Sequence, residues 1–278
     1  MGGEKVSARQ AGAGAALALC LVTLASFPVA VESRQGSSCF LLHEIGVGEV
    51  LRAPAEACRA RVAPASTFKV AHALAALDAG VIDGPEARIP FDGRELTVPP
   101  WRRDHTLRTA MRDSVVWYFQ TIADRLGPAR EREYLQRFEY GNKDSSSGLT
   151  TFWLGGSLVI SPEEQMRFWR DFYADALPVP KRHMDTVREI LVQPRGQVVN
   201  SNGAHPFGEW APEVVLSAKT GSVTDRTGIE VRWLVGHVAR GKRSWIFASL
   251  VTGPAGVPPL AAVQQAATAL TRARVLVP

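Results

Sequence analysis

The hydrophobic period changes twice along this chain, and no other feature limits its fold as much. Residues 39–42 and 48–51 are short β-prone runs that read as a hairpin. From Pro64 to Gly80 the chain is apolar and alanine-rich. Proline ahead of the run and glycine after it punctuate a helix over 66–79. Val115, Phe119, Ile122 and Leu126 recur at helical spacing as far as Gly127-Pro128, which should stop that helix. Pro162 opens another, with Met166, Trp169 and Tyr173 on one face, and Met184, Val187 and Leu191 mark a further one. The period then changes again. Residues 214–218 are a short β-prone run, and 230–239 and 244–252 are two longer ones joined through Arg240-Gly241-Lys242-Arg243, a hairpin with a glycine turn. An amphipathic helix over 260–272 closes the chain. Strands at both ends with helices between predict an α/β (α+β) fold. Its antiparallel sheet is built from both chain ends and flanked by helices, with a mostly helical inserted subdomain over residues 66–193.

With 278 residues, 46% hydrophobic and 21% charged, the chain can bury a core without metal or disulfide staples. Its 32 basic against 27 acidic residues leave a net charge of +5. They are scattered, with no Lys/Arg run and no arginines interleaved with aromatics, so a solvated basic surface is expected and no nucleic-acid partner. The start reads as a targeting segment. Lys5 and Arg9 precede an uncharged apolar stretch over 11–31, broken by Pro28 and followed by Glu32, Ser33 and Arg34. A signal peptide over 1–33 is expected, cleaved between Ser26 and Ser33, then one domain over 34–278. The protein is then periplasmic or secreted, with no membrane contact after cleavage. The alternative is an uncleaved anchor, since about 20 apolar residues can just span a bilayer. Cys39 and Cys58 are the only cysteines beyond that segment and can pair in an oxidising compartment. The six histidines, at 43, 72, 105, 183, 205 and 237, show neither H-E-x-x-H nor H-x-H spacing, and no metal is expected.

Three short motifs carry chemistry. In Ser66-Thr67-Phe68-Lys69, residues three apart share a helix face, so Lys69 reaches the Ser66 hydroxyl at a helix start, where free N–H groups favour negative charge. A serine with an adjacent base is a nucleophile, and a lysine is such a base only once deprotonated. Taken alone, this motif is weak and is read sooner as a capping serine on a solvated helix face. Lys219-Thr220-Gly221 ends the run over 214–218 and offers a point charge, a hydroxyl and a backbone that a ligand can approach. By itself it is a strand-to-turn exit. Ser114-Val115-Val116 lies between two helices, and its serine reads alone as an ordinary N-cap.

Their order joins them. S-x-x-K, a mid-chain S-x-V and a late K-T-G are arranged as in penicillin-recognising serine enzymes. The chain resembles the class D, oxacillinase-type serine β-lactamases. Pro64-Ala65-Ser66-Thr67-Phe68-Lys69, Ser114-Val115-Val116 and Tyr140-Gly141-Asn142 match motifs of that family, the last its diagnostic tyrosine motif. So do Phe152-Trp153-Leu154-Gly155-Gly156-Ser157-Leu158 with Ile160-Ser161-Pro162, Lys219-Thr220-Gly221, and Trp233-Leu234-Val235-Gly236. Residues 101–107 and Phe91-Asp92-Gly93 also look like the family, and the likeness runs over about 39–252.

The resemblance implies the penicillin-recognising serine enzyme fold and hydrolysis of a small-molecule β-lactam through a serine acyl-enzyme. Ser66 is the implied nucleophile and Lys69, as N6-carboxylysine, the general base, needing carbon dioxide or bicarbonate but no other cofactor. Ser114 relays a proton in the positive field of Lys219. Trp153 donates its indole N–H to the carbamate, and Phe68, Val116, Trp153 and Leu154 wall the lysine from water. Val116, Trp153, Leu154, Thr220, Gly221 and Ser222 bind substrate, and the N–H groups of Ser66 and Ser222 form the oxyanion hole. One departure stands out. The family places an arginine for the substrate carboxylate where this chain has Pro258-Pro259-Leu260-Ala261-Ala262, and Arg226 and Arg232 are the candidates for a displaced cation. Residues 194–213 match nothing clear. The alternatives are a β-lactam sensor or penicillin-binding protein that acylates without efficient turnover. The sequence sets no oligomeric state.

Overall fold

The computed structural model of the chain describes residues 1–3 and 36–277. The expected signal segment over 1–33, Cys20 included, therefore lies outside the described residues apart from residues 1–3. The chain divides into Met1–Ser33 and Arg34–Pro278, and every element among the described residues belongs to the second unit. In chain order these are β1 (Ser37–Glu44), β2 (Gly48–Ala53), α1 (Lys69–Asp78), β3 (Arg88–Ile89), β4 (His105–Thr106), α2 (Leu107–Arg112) and α3 (Val116–Arg137). Then come α4 (Pro162–Tyr173), α5 (Lys181–Ile190), β5 (Gln197–Asn200), β6 (Gly203–Pro206), β7 (Val214–Thr224), β8 (Glu230–Arg240), β9 (Arg243–Gly253) and α6 (Ala261–Arg272).

The main sheet is antiparallel with strand order β2-β1-β9-β8-β7, so the first strands of the chain close onto the last. β1 pairs with β9 from Ser37 opposite Thr252 to Glu44 opposite Trp245. Side chains alternate along each strand, and both faces are covered. Phe40, Leu42, Leu234 and Phe247 join Ala262, Val263, Ala266 and Leu270 of α6 in one apolar cluster. Leu41, Trp233, Val235 and Ile246 join the helical part in the other. The α+β architecture read from the sequence is the one observed. Every residue of α1 up to Leu77 is buried, which its alanines permit by letting neighbouring helices approach on all sides.

Four local readings change. The helix expected over 66–79 starts as a 3-10 turn over Ala65–Phe68, and α geometry begins only at Lys69. Gly127 does break the α3 helix, with φ 75° and ψ 165°, but helical conformation resumes at once. Pro128 suits the first turn of a new segment, where its missing N–H is not needed. The strand expected over 214–218 continues to Thr224, so Lys219-Thr220-Gly221 is strand interior rather than an exit. Its polar residues are buried by the 3-10 turn over Ala65–Phe68, a neighbour local sequence does not show. Residues 194–213 contain the β5–β6 hairpin, whose four-residue strands are too short to show a period.

Cys39 of β1 and Cys58 are disulfide-bonded and fully buried. The bridge ties the central part of the sheet to the segment leading into α1. Thiol labelling of the unfolded, unreduced protein should find neither cysteine free. For a sequence separation of 19 the chain-entropy account gives roughly 3 kcal/mol of stabilisation. The Cys39→Ser/Cys58→Ser variant should therefore show a clearly lower denaturant midpoint, and an unmoved midpoint would mean that the bridge contributes nothing.

Candidate active site

The site begins at the 3-10 turn ahead of α1. Ala65 has φ 50°, a left-handed conformation costly for a residue with a Cβ, and its N–H is held by the Trp153 carbonyl at 3.1 Å. Thr67 Oγ1 donates to the Pro64 carbonyl at 2.7 Å and accepts from Gln165 Nε2 at 2.7 Å, so the turn is braced from α4. Ser66, half-buried, faces the cavity, and Lys69 Nζ donates to its Oγ at 2.6 Å.

Lys69 is completely buried. Its Nζ also reaches the Ser114 carbonyl at 3.0 Å and Ser114 Oγ at 3.4 Å. Ser114 is not the N-cap of α3: that position is Val115, and no side chain caps it. Ser114 instead has φ 53°, which aims its hydroxyl into the site. Lys219 Nζ donates to Ser114 Oγ at 2.9 Å and to the Thr220 carbonyl at 3.0 Å. Four residues spread over 154 positions of sequence thus share one hydrogen-bonded cluster. Burial pushes the Lys219 amine down to about 7. Burial, with a smaller contribution from the charge of Lys219, pushes the Lys69 amine well below the usual lysine range. The free amine is the form that can accept a proton from Ser66.

Behind this cluster, Trp153 packs against Phe68, Phe152 and His72 with ring centroids 5.7, 4.9 and 5.4 Å apart. It is fully buried, and its Nε1 has no hydrogen-bond partner among the described residues. The loop that carries it is clamped by Asn142, whose Nδ2 donates to the Ser157 carbonyl at 2.8 Å and whose Oδ1 accepts from Val159 N–H at 3.0 Å. Gly141, at φ 53°, is needed because a Cβ there would lie 2.2 Å from the Val159 carbonyl oxygen. Tyr140 OH accepts from Gln165 Nε2 at 3.3 Å. Tyr140-Gly141-Asn142 therefore supports the tryptophan loop and the nucleophile turn from behind. His72 on α1 meets Glu131 of α3 at 2.6 Å, a buried pair that the sequence reading did not single out.

A cavity of about 140 Å³ opens over Ser66 and Ser114, lined also by Val116, Leu154, Thr220, Gly221 and Ser222. Trp153, expected to bind substrate, is absent from this lining and fully buried. Gly221 is close to the nucleophile turn itself: a Cβ there would meet the Pro64 carbonyl oxygen at 3.0 Å and Thr67 Cγ2 at 3.1 Å. Trp101, Trp233, Pro259, Val263 and Asn200-Ser201-Asn202 complete the lining and were not anticipated. Trp101 and Trp233 stand in stretches that resemble the family; for the hairpin no local signal existed. Neither candidate cation lines the cavity. Arg226 is exposed, while Arg232 is buried, paired with Glu230 at 3.0 Å and donating to the Val231 and Val257 carbonyls.

Residues 36–274 match the penicillin binding protein transpeptidase domain. The chain is 31% identical over 220 residues to the probable β-lactamase YbxI of Bacillus subtilis (strain 168), covering 79% of this chain and 76% of that protein. It is 36% identical over 185 residues to the β-lactamase OXA-48 of Klebsiella pneumoniae, covering 66% of this chain and 64% of that protein, a little under two thirds of its length. A class D β-lactamase structure from Bacillus subtilis superposes with a TM-score of 0.74 at 28% identity, over 87% of this chain and 94% of that one. The C-terminal domain of the Bacillus licheniformis BlaR penicillin-receptor gives 0.76 at 28%, over 87% and 92%. The chain belongs to the penicillin-binding-protein transpeptidase family. Within it, its relatives are class D β-lactamases together with a penicillin-receptor domain, the group its motifs resemble.

Two outcomes follow from this geometry. Gly221→Ala forces β7 and the nucleophile turn apart and should cost about 1–3 kcal/mol of stability. Adding Thr67→Ser, which removes the methyl group that a Cβ would meet, should recover part of that loss; full stability of the single variant would show that the close approach constrains nothing. For Lys219, a folded pKa near 7 lies below the unfolded value of about 10.4, so the unfolded chain holds more protons between the two. Its contribution to stability should be fully present above about 10.4 and be lost as pH falls towards 7. Comparing the pH dependence of unfolding in wild type and Lys219→Met measures it, and identical slopes would contradict the assignment.

Proposed function

We propose that the chain is an exported serine β-lactamase that hydrolyses β-lactam antibiotics through an acyl-enzyme on Ser66. The observation that carries this reading is the buried Ser66–Lys69 pair, 2.6 Å apart, with Ser114 Oγ bridging towards Lys219. Ser66 Oγ attacks the lactam carbonyl, and its proton passes to the base formed by Lys69. The C–N bond breaks, and Ser114, under the field of Lys219, delivers a proton to the leaving nitrogen. The N–H groups of Ser66 and Ser222 hold the oxyanion. A water then cleaves the ester and restores Ser66.

Lys69 fits carboxylation. Its amine is buried and pushed well below the usual lysine range, and the indole Nε1 of Trp153 is a buried donor without a partner among the described residues. Carboxylated by carbon dioxide, Lys69 supplies an anionic base for both acylation and the hydrolytic water. Trp153 and Ser66 hold that anion by hydrogen bonds, and Phe68, Val116 and Leu154 keep bulk water from it. A second reading, a receptor that acylates without releasing product, is favoured by the likeness to the BlaR penicillin-receptor domain.

Nitrocefin separates the two. A hydrolase turns over far beyond one equivalent, whereas a receptor stops after a single burst. Ser66→Ala should show no penicillin adduct by mass spectrometry, and a persisting adduct would remove Ser66 as nucleophile. Thorough degassing should depress turnover and bicarbonate restore it, with Trp153→Phe, which keeps the ring and loses the N–H, needing more bicarbonate. Undiminished turnover after degassing would leave a plain lysine base.

A further inference from the structure

A β-lactam bears a carboxylate, and among the described residues lining the cavity there is neither arginine nor lysine. At the start of α6, where the family's arginine was expected, the lining is Pro259 and Val263. Besides Ser66, Ser114, Thr220 and Ser222, the polar lining comes from the end of β5 and its turn into β6, Asn200-Ser201-Asn202. This turn is fixed in place. Val198 and Phe207 are buried in the same apolar cluster as Val263 and Leu216. Gln193 donates through Nε2 to the Ala218 carbonyl at 3.0 Å, next to Lys219, and its Oε1 accepts from Val199 N–H at 2.9 Å.

The orientation of Asn200 is set by chemistry. Its Oδ1 accepts from the Asn202 backbone N–H at 2.8 Å and lies 3.0 Å from His205 Nε2. A backbone N–H can only donate, so the atom facing it is the oxygen, and what Asn200 has left to offer a ligand is its NH₂ group. Such a donor suits a carboxylate and has nothing to give an acidic proton or a cation.

We propose that the β5–β6 turn is the substrate-carboxylate anchor of this protein, with Asn200 Nδ2 as the positioning donor in place of a guanidinium. The proposal rests on the β-lactam reading of the site and deepens it. A neutral amide replaces the bidentate ion pair of an arginine, so the substrate is held by one directional hydrogen bond beside the field of Lys219.

Asn200→Asp tests it with the turn preserved. The aspartate keeps an oxygen for Asn202 and His205 and exchanges only the NH₂ group for a second oxygen, which repels a carboxylate. Acylation of Ser66 is followed by mass spectrometry for a penicillin and for its methyl ester, so receptor and hydrolase behaviour are equally readable. The apparent second-order acylation constant for the acid should fall about ten- to a hundredfold, the effect of losing a hydrogen bond to a charged group. The constant for the ester should change less than about threefold. For the acid, the loss should appear in the half-saturating concentration, with the maximal rate kept, and Asn200→Gln should recover part of it. Equal losses for acid and ester, or no loss for the acid, would overturn the proposal. A wild type that forms no adduct with either compound would instead overturn the β-lactam reading itself.

Discussion

Two lysine side chains are buried within hydrogen-bonding distance of one serine, Ser114, and the rest of the site is arranged around that fact. A buried ammonium without a carboxylate is costly, and among the described residues neither Lys69 nor Lys219 is paired with one. The site answers with neutral acceptors: Ser66 Oγ, Ser114 Oγ, and the carbonyls of Ser114 and Thr220. Such acceptors stabilise an amine without restoring the attraction that keeps it protonated. Each lysine is therefore driven towards its free-base form, and the proximity of the two drives Lys69 further. Burial lowers the proton affinity of both lysines, and like charge adds to it at Lys69.

The arrangement holds only if the helical part and the sheet meet closely. β7 passes over the nucleophile turn at Gly221, Trp233 Nε1 of β8 donates to the Ala63 carbonyl at 3.0 Å, and Val62 pairs with Ile160 ahead of α4. These contacts converge on residues 62–67, where the backbone is strained at Ala65. Strain of this kind persists only where several neighbours over-determine it. Here the Trp153 carbonyl, Gln165 and β7 do so together.

The sequence alone carried the likeness to the class D β-lactamases. Ser66, Lys69, Ser114 and Lys219 were legible as one set because Ser66 and Lys69 lie one helical turn apart, a local relation, and because the order of three short motifs is informative even when each is not. The strand-helix-strand order also sufficed for the α+β sheet, since period two and period 3.6 are local properties of the chain. What local pattern could not carry is the set of relations made across distance. Ser114 reads as a helix cap and Lys219-Thr220-Gly221 as a strand exit until the two are brought to one point. Trp153 reads as a substrate-binding residue until packing buries it away from the cavity lining. The hairpin over 197–206 has no periodic signal, yet it comes to line the cavity where a cation was sought in vain at Arg226 and Arg232. The residue types and their order carried the family likeness of this protein. Only the tertiary structure decided which side chains line one cavity, because neighbours in space need not be neighbours in sequence.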